Sequence, residues 1–282
     1  MSPGGSVQGR DGFRVGVVIV AYNAERTITR VLERIPQAFW NECAGVWLSD
    51  DGSMDATEEL ARAWGSAHPN RPLTVVRQPR NLGYGGNQKA GYRWAIEARL
   101  DAVVLLHGDG QYAPEVIGQI VEPIRRGTAE AVLGSRMMRK GEARRGGMPL
   151  YKLIGNRVLT IVQNWATGAG FSEWHSGYRA YSVPALASID FVVNRDDFAF
   201  DTDILLQLLA HPTYRFTEIA IPTFYGTEIS RVNGLKYAWE IVIASLLWRR
   251  RHSRSGVEST EWSTSTVVPA QRAKIWVLPG DS

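Results

Sequence analysis

Three short stretches of the chain carry side chains whose types and spacing could do chemistry. Asp50 and Asp51 stand side by side in Ser49-Asp50-Asp51-Gly52-Ser53-Met54-Asp55. Adjacent carboxylates at the end of a strand repel each other, so the pair reads as facing a ligand or donors, with Ser53 and Asp55 as caps of the next helix. Asp109 and Gln111, two apart in His107-Gly108-Asp109-Gly110-Gln111, offer two oxygens on an irregular turn. That set suits a hard divalent ion that keeps waters and shares a diphosphate. Residues 136–157 gather Arg136, Arg139, Lys140, Arg144, Arg145, Lys152 and Arg157 against Glu142 alone. Arginines grip phosphate bidentately, and a glycine-rich basic loop beside such a turn reads as a mobile phosphate clamp.

These stretches need strands to hold them. Val15 to Val20 is a continuous β-branched run, the pattern of a strand buried on both faces, and a helical stretch from Glu25 to Ala38 follows. Strands then read at Gly45–Ser49, Leu73–Arg77, Ala102–Leu106 and Glu130–Gly134, with helical stretches near 55–66, 85–98 and 114–125. Leu150 to Ala166 reads as a helix with a strongly apolar face. Beyond it come a strand at Tyr178–Ser182, a helix near 201–210, a strand at Arg215–Ile221 and a last helix from Asn233 to Arg249. This βαβα alternation predicts an α/β fold with a mainly parallel sheet flanked by helices, its ligands beyond the carboxyl ends of the strands. A dinucleotide-binding fold of the dehydrogenase type is excluded. Its glycines must follow the first strand, which here runs into Ala21-Tyr22-Asn23-Ala24-Glu25, while Gly83-Tyr84-Gly85-Gly86 comes only after the third.

Composition limits the partners. The 282 residues hold 32 Lys and Arg against 28 Asp and Glu, a net charge of +4, and the single cysteine Cys43 cannot close an intrachain disulfide. The first dozen residues have no apolar core of a secretory signal, and no run reaches the roughly 20 apolar residues of a spanning helix. The basic excess sits in residues 136–157 and in Arg249, Arg250, Arg251 and Arg254. No nucleic-acid-binding module accompanies it, so nucleic acid is not an expected partner.

Taken together, the stretches VVIVAYNAERTI, WLSDDGSMDAT, RNLGYGGNQKAGYRWA, LLHGDGQYAPE, GSRMM and LYKLIGNRVLT with HSGYRAYS resemble the family 2 glycosyltransferases of the GT-A fold. The resemblance is to the dolichol-phosphate mannosyltransferase-like, polyprenyl-phosphate branch. It covers about residues 14 to 235 in family order. It implies an inverting hexosyltransferase with a nucleoside diphosphate sugar as donor. The implied donor-binding set is Ala21, Tyr22, Asn23, Glu25, Asp50, Asp51, Gly83, Lys89, Gly108 and Asp109. Phosphate is assigned to Arg136, Arg144, Arg145 and Arg231, and a divalent metal, Mn²⁺ or Mg²⁺, to His107, Asp109 and Gln111. The family has an acid at the position of His107, and imidazole suits Mn²⁺ better than Mg²⁺, which leaves the metal requirement open.

The catalytic set by resemblance is Asp109, Arg136, Asp201 and Asp203. A hydroxyl acceptor needs a base, for which Asp201 or Asp203 is the candidate, although Asp201 reads equally as a charge at a helix N-terminus. An anionic phosphate acceptor needs none. The leading expectation is transfer to a polyprenyl phosphate; the alternatives are transfer to a hydroxyl of a small molecule or glycan, and a non-catalytic nucleotide-sugar binder. The expected organisation is a disordered N-terminus (1–13), the GT-A domain (14–232), an amphipathic helix with a polybasic end (233–254) and a disordered tail (255–282). That helix predicts peripheral membrane contact, and the location expected is the cytoplasm or the inner face of the membrane.

Overall fold

A computed structural model describes residues 12–222, 224–225 and 234–252. One seven-stranded sheet organises them, in the order β3-β2-β1-β4-β6-β5-β7. The strands are β1 (Val15–Ala21), β2 (Gly45–Asp50), β3 (Leu73–Arg77), β4 (Ala102–His107), β5 (Ala131–Ser135), β6 (Arg179–Ser182) and β7 (Phe216–Ala220). All are parallel to their neighbours except β6, which runs antiparallel to β4 and β5. The expected mixed α/β architecture is therefore present. Every residue of β1, β2 and β5 is buried, as unbroken apolar runs in a sheet covered on both faces require.

Register explains how distant residues meet. Ala21 is paired with Asp50, and Val20 with His107, so the carboxyl ends of β1, β2 and β4 finish level. Because β6 is antiparallel, it starts where they end: Arg179 is paired with both Leu105 and Leu133. One edge of the sheet thus gathers residues 21–25, 50–55, 107–111, 135–137 and 175–179.

The helices are α1 (Ile28–Arg34), α2 (Gln37–Glu42), α3 (Thr57–Ala67), α4 (Tyr84–Glu97), α5 (Ile117–Arg125), α6 (Glu142–Arg145), α7 (Leu150–Thr167), α8 (Val183–Ala187), α9 (Phe200–Leu209) and α10 (Gly234–His252). The single helix expected over 25–38 is two. Pro36 disfavours helical geometry at Ile35, whose ψ of 123° ends α1. The basic loop is not open either. It contains α6, and Ala143, Met148 and Leu153 form a small apolar cluster with Met137 and Tyr225. Cys43 is buried and its thiol is pushed up to about 11, chiefly by that burial, as for an inert apolar residue.

Candidate active site

The loops after β1 and β2 are stitched together. Ser53 Oγ accepts from Asn23 N (2.8 Å), Asn23 Oδ1 from Met54 N (2.9 Å), Thr57 Oγ1 from Ala24 N (2.7 Å) and Asp55 Oδ2 from Glu25 N (3.2 Å). Asn23 has φ of 49°, left-handed backbone that asparagine tolerates. Ser53 and Asp55, expected as caps, instead tie these loops together; the N-cap of α3 is Ala56, which makes no side-chain cap, and only Asp55 reaches the helix, accepting from Thr57 N (3.1 Å). Tyr22 and Glu25 remain exposed there.

The acid pair turns inward. Asp50 has no exposed surface; its carboxylate accepts from Ser53 N and Oγ and lies 3.5 Å from Arg77. Asp51 accepts from Leu82 N (2.7 Å) and Gly83 N (3.1 Å), and burial raises its pKa. The pairing does have donors to satisfy, but they are protein donors, and Asp50 is a correction to a ligand-facing reading. Lys89 is a second correction. Its ammonium is bound by Asn194 O and by Asp196 Oδ1 (2.7 Å), so it braces the 194–196 segment. Gly83, with φ of 83°, packs on the same segment, where a Cβ would lie 2.6 Å from Asp196 O.

A hydrogen-bonded chain crosses the cleft floor. Tyr84 donates its only hydroxyl proton to Asp201 Oδ2 (2.9 Å), so the 3.0 Å contact with His107 Nε2 must be a bond donated by the imidazole. Asp201 also accepts from Gln88 Nε2 (3.1 Å), and Arg179, without exposed surface, donates to its main-chain oxygen (2.7 Å). The imidazole is wedged against Gly177, where a Cβ would come within 2.4 Å of its Cε1. Burial lowers the His107 pKa, so it is neutral at physiological pH. Asp203 is elsewhere, paired with Arg195 at 2.6 and 2.9 Å. The structure brings Asp201, and not Asp203, to the cleft.

The metal-ligand reading fares differently. Asp109 Oδ1 accepts from Gln111 N (3.0 Å), an Asx-turn, while Gly108 N reaches back to Val20 O (2.9 Å) and places the turn over the end of β1. Among the described residues no grouping of three His, Cys, Asp or Glu side chains could hold a metal ion. The donors are one carboxylate, one carboxamide and an imidazole whose Nε2 is already bonded. That set does not fit the oxygen-rich cage of a hard divalent ion.

Arg136 is buried at 6% exposure, and Glu173, which has none, accepts from its backbone N (2.7 Å), its Nε (2.8 Å) and its Nη2. Asn156 adds a bond to the same carboxylate (2.7 Å). Arg136 therefore anchors the turn after β5 while also lining the cleft beside it. That cleft is lined as well by Arg139, Arg144 and Arg157 with Met137 and Leu153. Arg145 does not line it, and Arg231 lies outside the described residues. Arg179, in the stretch Ser176-Gly177-Tyr178-Arg179 that the resemblance puts on the acceptor side, does lie here. Tyr84, Gln88 and Glu173 were missed by sequence reasoning, because no local spacing marks them, although Tyr84 and Gln88 lie in one matched stretch.

The family model for glycosyl transferase family 2 matches residues 16–183. The chain belongs to glycosyl transferase family 2. An uncharacterized protein of Methanocaldococcus jannaschii is 30% identical over 237 residues, covering 82% of this chain and 91% of that one. The polyprenol monophosphomannose synthase of Mycolicibacterium smegmatis is 27% identical, covering 78% and 82%. Among solved structures, glucosyl-3-phosphoglycerate synthase from Mycobacterium tuberculosis in complex with phosphoglyceric acid superimposes with a TM-score of 0.61 at 21% identity, covering 88% of this chain and 85% of that one. Another structure of that synthase contains Mn²⁺ and uridine diphosphate, with a TM-score of 0.58. The fold is the GT-A fold, and this family 2 member is a glycosyltransferase. No helix among the described residues is long and apolar enough to cross a membrane.

Proposed function

We propose that this glycosyltransferase moves a sugar from a nucleoside diphosphate sugar to the phosphate of a polyprenyl phosphate, with inversion at the anomeric carbon. The observation that carries the reading is the arginine-lined cleft beside the sheet edge, formed by Arg139, Arg144 and Arg157. Relatives named as polyprenyl-phosphate transferases, including an undecaprenyl-phosphate mannosyltransferase of Micrococcus luteus at 27% identity, support it.

On this reading the stitched loops at 22–25 and 51–55 receive the nucleoside, and the turn at 108–111 meets the donor diphosphate. An acceptor phosphate oxygen attacks the anomeric carbon from the face opposite the diphosphate. The C–O bond to the diphosphate breaks, and the nucleoside diphosphate leaves with the electron pair. A phosphomonoester with a second pKa near ~6 is already anionic at neutral pH, so no base is needed. The protein positions the two substrates and offers guanidinium groups to the charge, each charged hydrogen bond contributing about 1.5–3 kcal/mol. No step is assigned to a metal.

A second reading, transfer to a hydroxyl, is favoured by one observation: Asp201 is a carboxylate linked through Tyr84 to His107 at the sheet edge, a potential base held by Tyr84 and Gln88. Incubation of the purified protein with a panel of nucleotide sugars and a short polyprenyl phosphate tests the first reading. The expected result is a lipid-linked sugar with one donor. No such product with any donor, with or without Mn²⁺ or Mg²⁺, overturns it.

A further inference from the structure

Helix α7 is turned the wrong way for a core helix. It buries Thr160, Gln163 and Ala166 and leaves Ile154, Val158, Ile161 and Trp165 exposed, Ile161 at 67% and Trp165 at 58%. The spacing of four, three and four residues puts those four on one stripe. The neighbouring α10 repeats the pattern, burying Ile241 and Ser245 and exposing Leu235, Trp239, Ile243 and Leu246, with Trp239 at 68%. Arg249 of α10 stacks on Trp165 of α7, its guanidinium 4.3 Å from the ring centre, and donates to Trp165 O. The exposed stripes are thereby joined into one surface. Of the 18 exposed large apolar residues among the described residues, 11 lie on these two helices, so the exposure is concentrated and not scattered.

Its charge says what covers it. The two helices carry six Lys and Arg against the single Glu240, which is 3.6 Å from Lys236. Two copies pressed face to face would oppose cation to cation, whereas an anionic lipid surface complements both the apolar stripe and its basic border. Exposed Trp165, Trp239 and Tyr151 are the amphipathic aromatics that settle at headgroup depth. The face is also continuous with the arginine cleft, since Arg157 and Leu153 belong to α7 and line that cleft.

We infer that α7 and α10 together form a docking face for an anionic membrane surface, which brings the arginine cleft to the level of the lipid headgroups. The docking itself does not depend on the proposed acceptor; only the use made of it rests on that reading.

Vesicle sedimentation of the full chain without substrates tests the face apart from catalysis. Vesicles of phosphatidylglycerol and phosphatidylcholine in equal parts should bind the protein, pure phosphatidylcholine far less, and added salt should weaken binding. Ile161→Glu and Trp239→Glu, both at exposed positions, should each lower the partition coefficient by about tenfold or more, since burial of such a side chain is worth more than a factor of ten. Unchanged circular dichroism and melting would show that the variants fold. Failure to bind the anionic vesicles, or binding that both variants leave intact, overturns the inference. So does light scattering that finds a dimer which either variant dissociates, because the face would then belong to a second copy. A protein that binds vesicles but makes no lipid-linked sugar retains the docking face and loses only the acceptor reading.

Discussion

The hydroxyl of Tyr84 joins two residues far apart in the chain, accepting from His107 Nε2 at 3.0 Å and donating to Asp201 Oδ2 at 2.9 Å. Tyr84→Phe removes the junction and leaves buried Asp201 and half-buried His107 without it. An unsatisfied buried polar group costs about 1–3 kcal/mol. Urea denaturation should show a loss of that size, and turnover should fall with it because Asp201 and His107 lose their fixed orientation. A stability change below about 0.5 kcal/mol would show that water replaces the hydroxyl at no cost.

Asp201 and Asp203 have separate partners in this fold, Tyr84 and Gln88 for the first and Arg195 for the second. Asp203 is committed to Arg195, with bonds of 2.6 and 2.9 Å, so Asp203→Asn should leave kcat within a few-fold and show itself as lost stability. Asp201→Asn decides between acceptors. Removing a general base costs about 10²–10⁴ in rate, whereas a phosphate acceptor predicts less than about tenfold. Steady-state kcat with the acceptor that the wild type turns over, polyprenyl phosphate or a hydroxyl compound, distinguishes the two.

With His107 at its start, the turn 107–111 has Asp109 as its lone carboxylate. Chelation of divalent ions should therefore slow the wild-type protein only modestly, by less than about tenfold. His107→Asp adds a second carboxylate to the turn, and several kcal/mol of metal stabilisation become accessible. The variant should bind Mn²⁺ more tightly by calorimetry and lose more activity to a chelator than wild type. Tight Mn²⁺ binding by the wild type, abolished by His107→Asp, would reverse this account.

The pair Arg136–Glu173 predicts a structural phenotype at a position that looks catalytic in sequence. Glu173→Gln leaves a buried guanidinium without its counter-charge, and breaking such a pair costs about 3–5 kcal/mol. The melting temperature should drop sharply. Arg144→Ala, on the exposed rim of the cleft, removes one bond to Met148 O (2.8 Å) and should lower melting far less than Glu173→Gln while raising the KM for the acceptor. A variant at Glu173 that melts like wild type would mean that Arg136 is free to serve a substrate.

The sheet was legible because buried parallel strands announce themselves as unbroken runs such as Val15–Val20, and the turns after them carry the distinctive residues. Pairings across the chain were not. Tyr84 and Asp201 are 117 positions apart and meet only because antiparallel β6 delivers Arg179, which holds Asp201, to the same sheet edge. The adjacent acids Asp50 and Asp51 advertised a need for donors without saying whether those donors were substrate or backbone. Periodicity likewise gave α7 an apolar face but could not say that the face points outward. That depends on which side of the helix meets Trp174 and Thr202, through Thr160 and Gln163.

His175 gives the fold a defined sensitivity to acid. Its Nδ1 lies 2.8 Å from the Tyr237 hydroxyl, and burial, reinforced by Arg179 and Arg136, presses its pKa from 6.5 down to about 3. A folded pKa below the unfolded one means that the unfolded chain binds the extra proton, so this contribution is complete above about pH 6.5 and is lost as pH falls toward about 3. Glu218 and Asp51, both raised chiefly by burial, act in the opposite sense, gaining stability as pH falls. The difference between wild type and His175→Gln is therefore the quantity to follow. Denaturant midpoints should show wild type losing ground to the variant between about pH 6.5 and about pH 4, with no further change in their difference above that range. A difference that stays constant throughout would show that the imidazole titrates as it does in solvent.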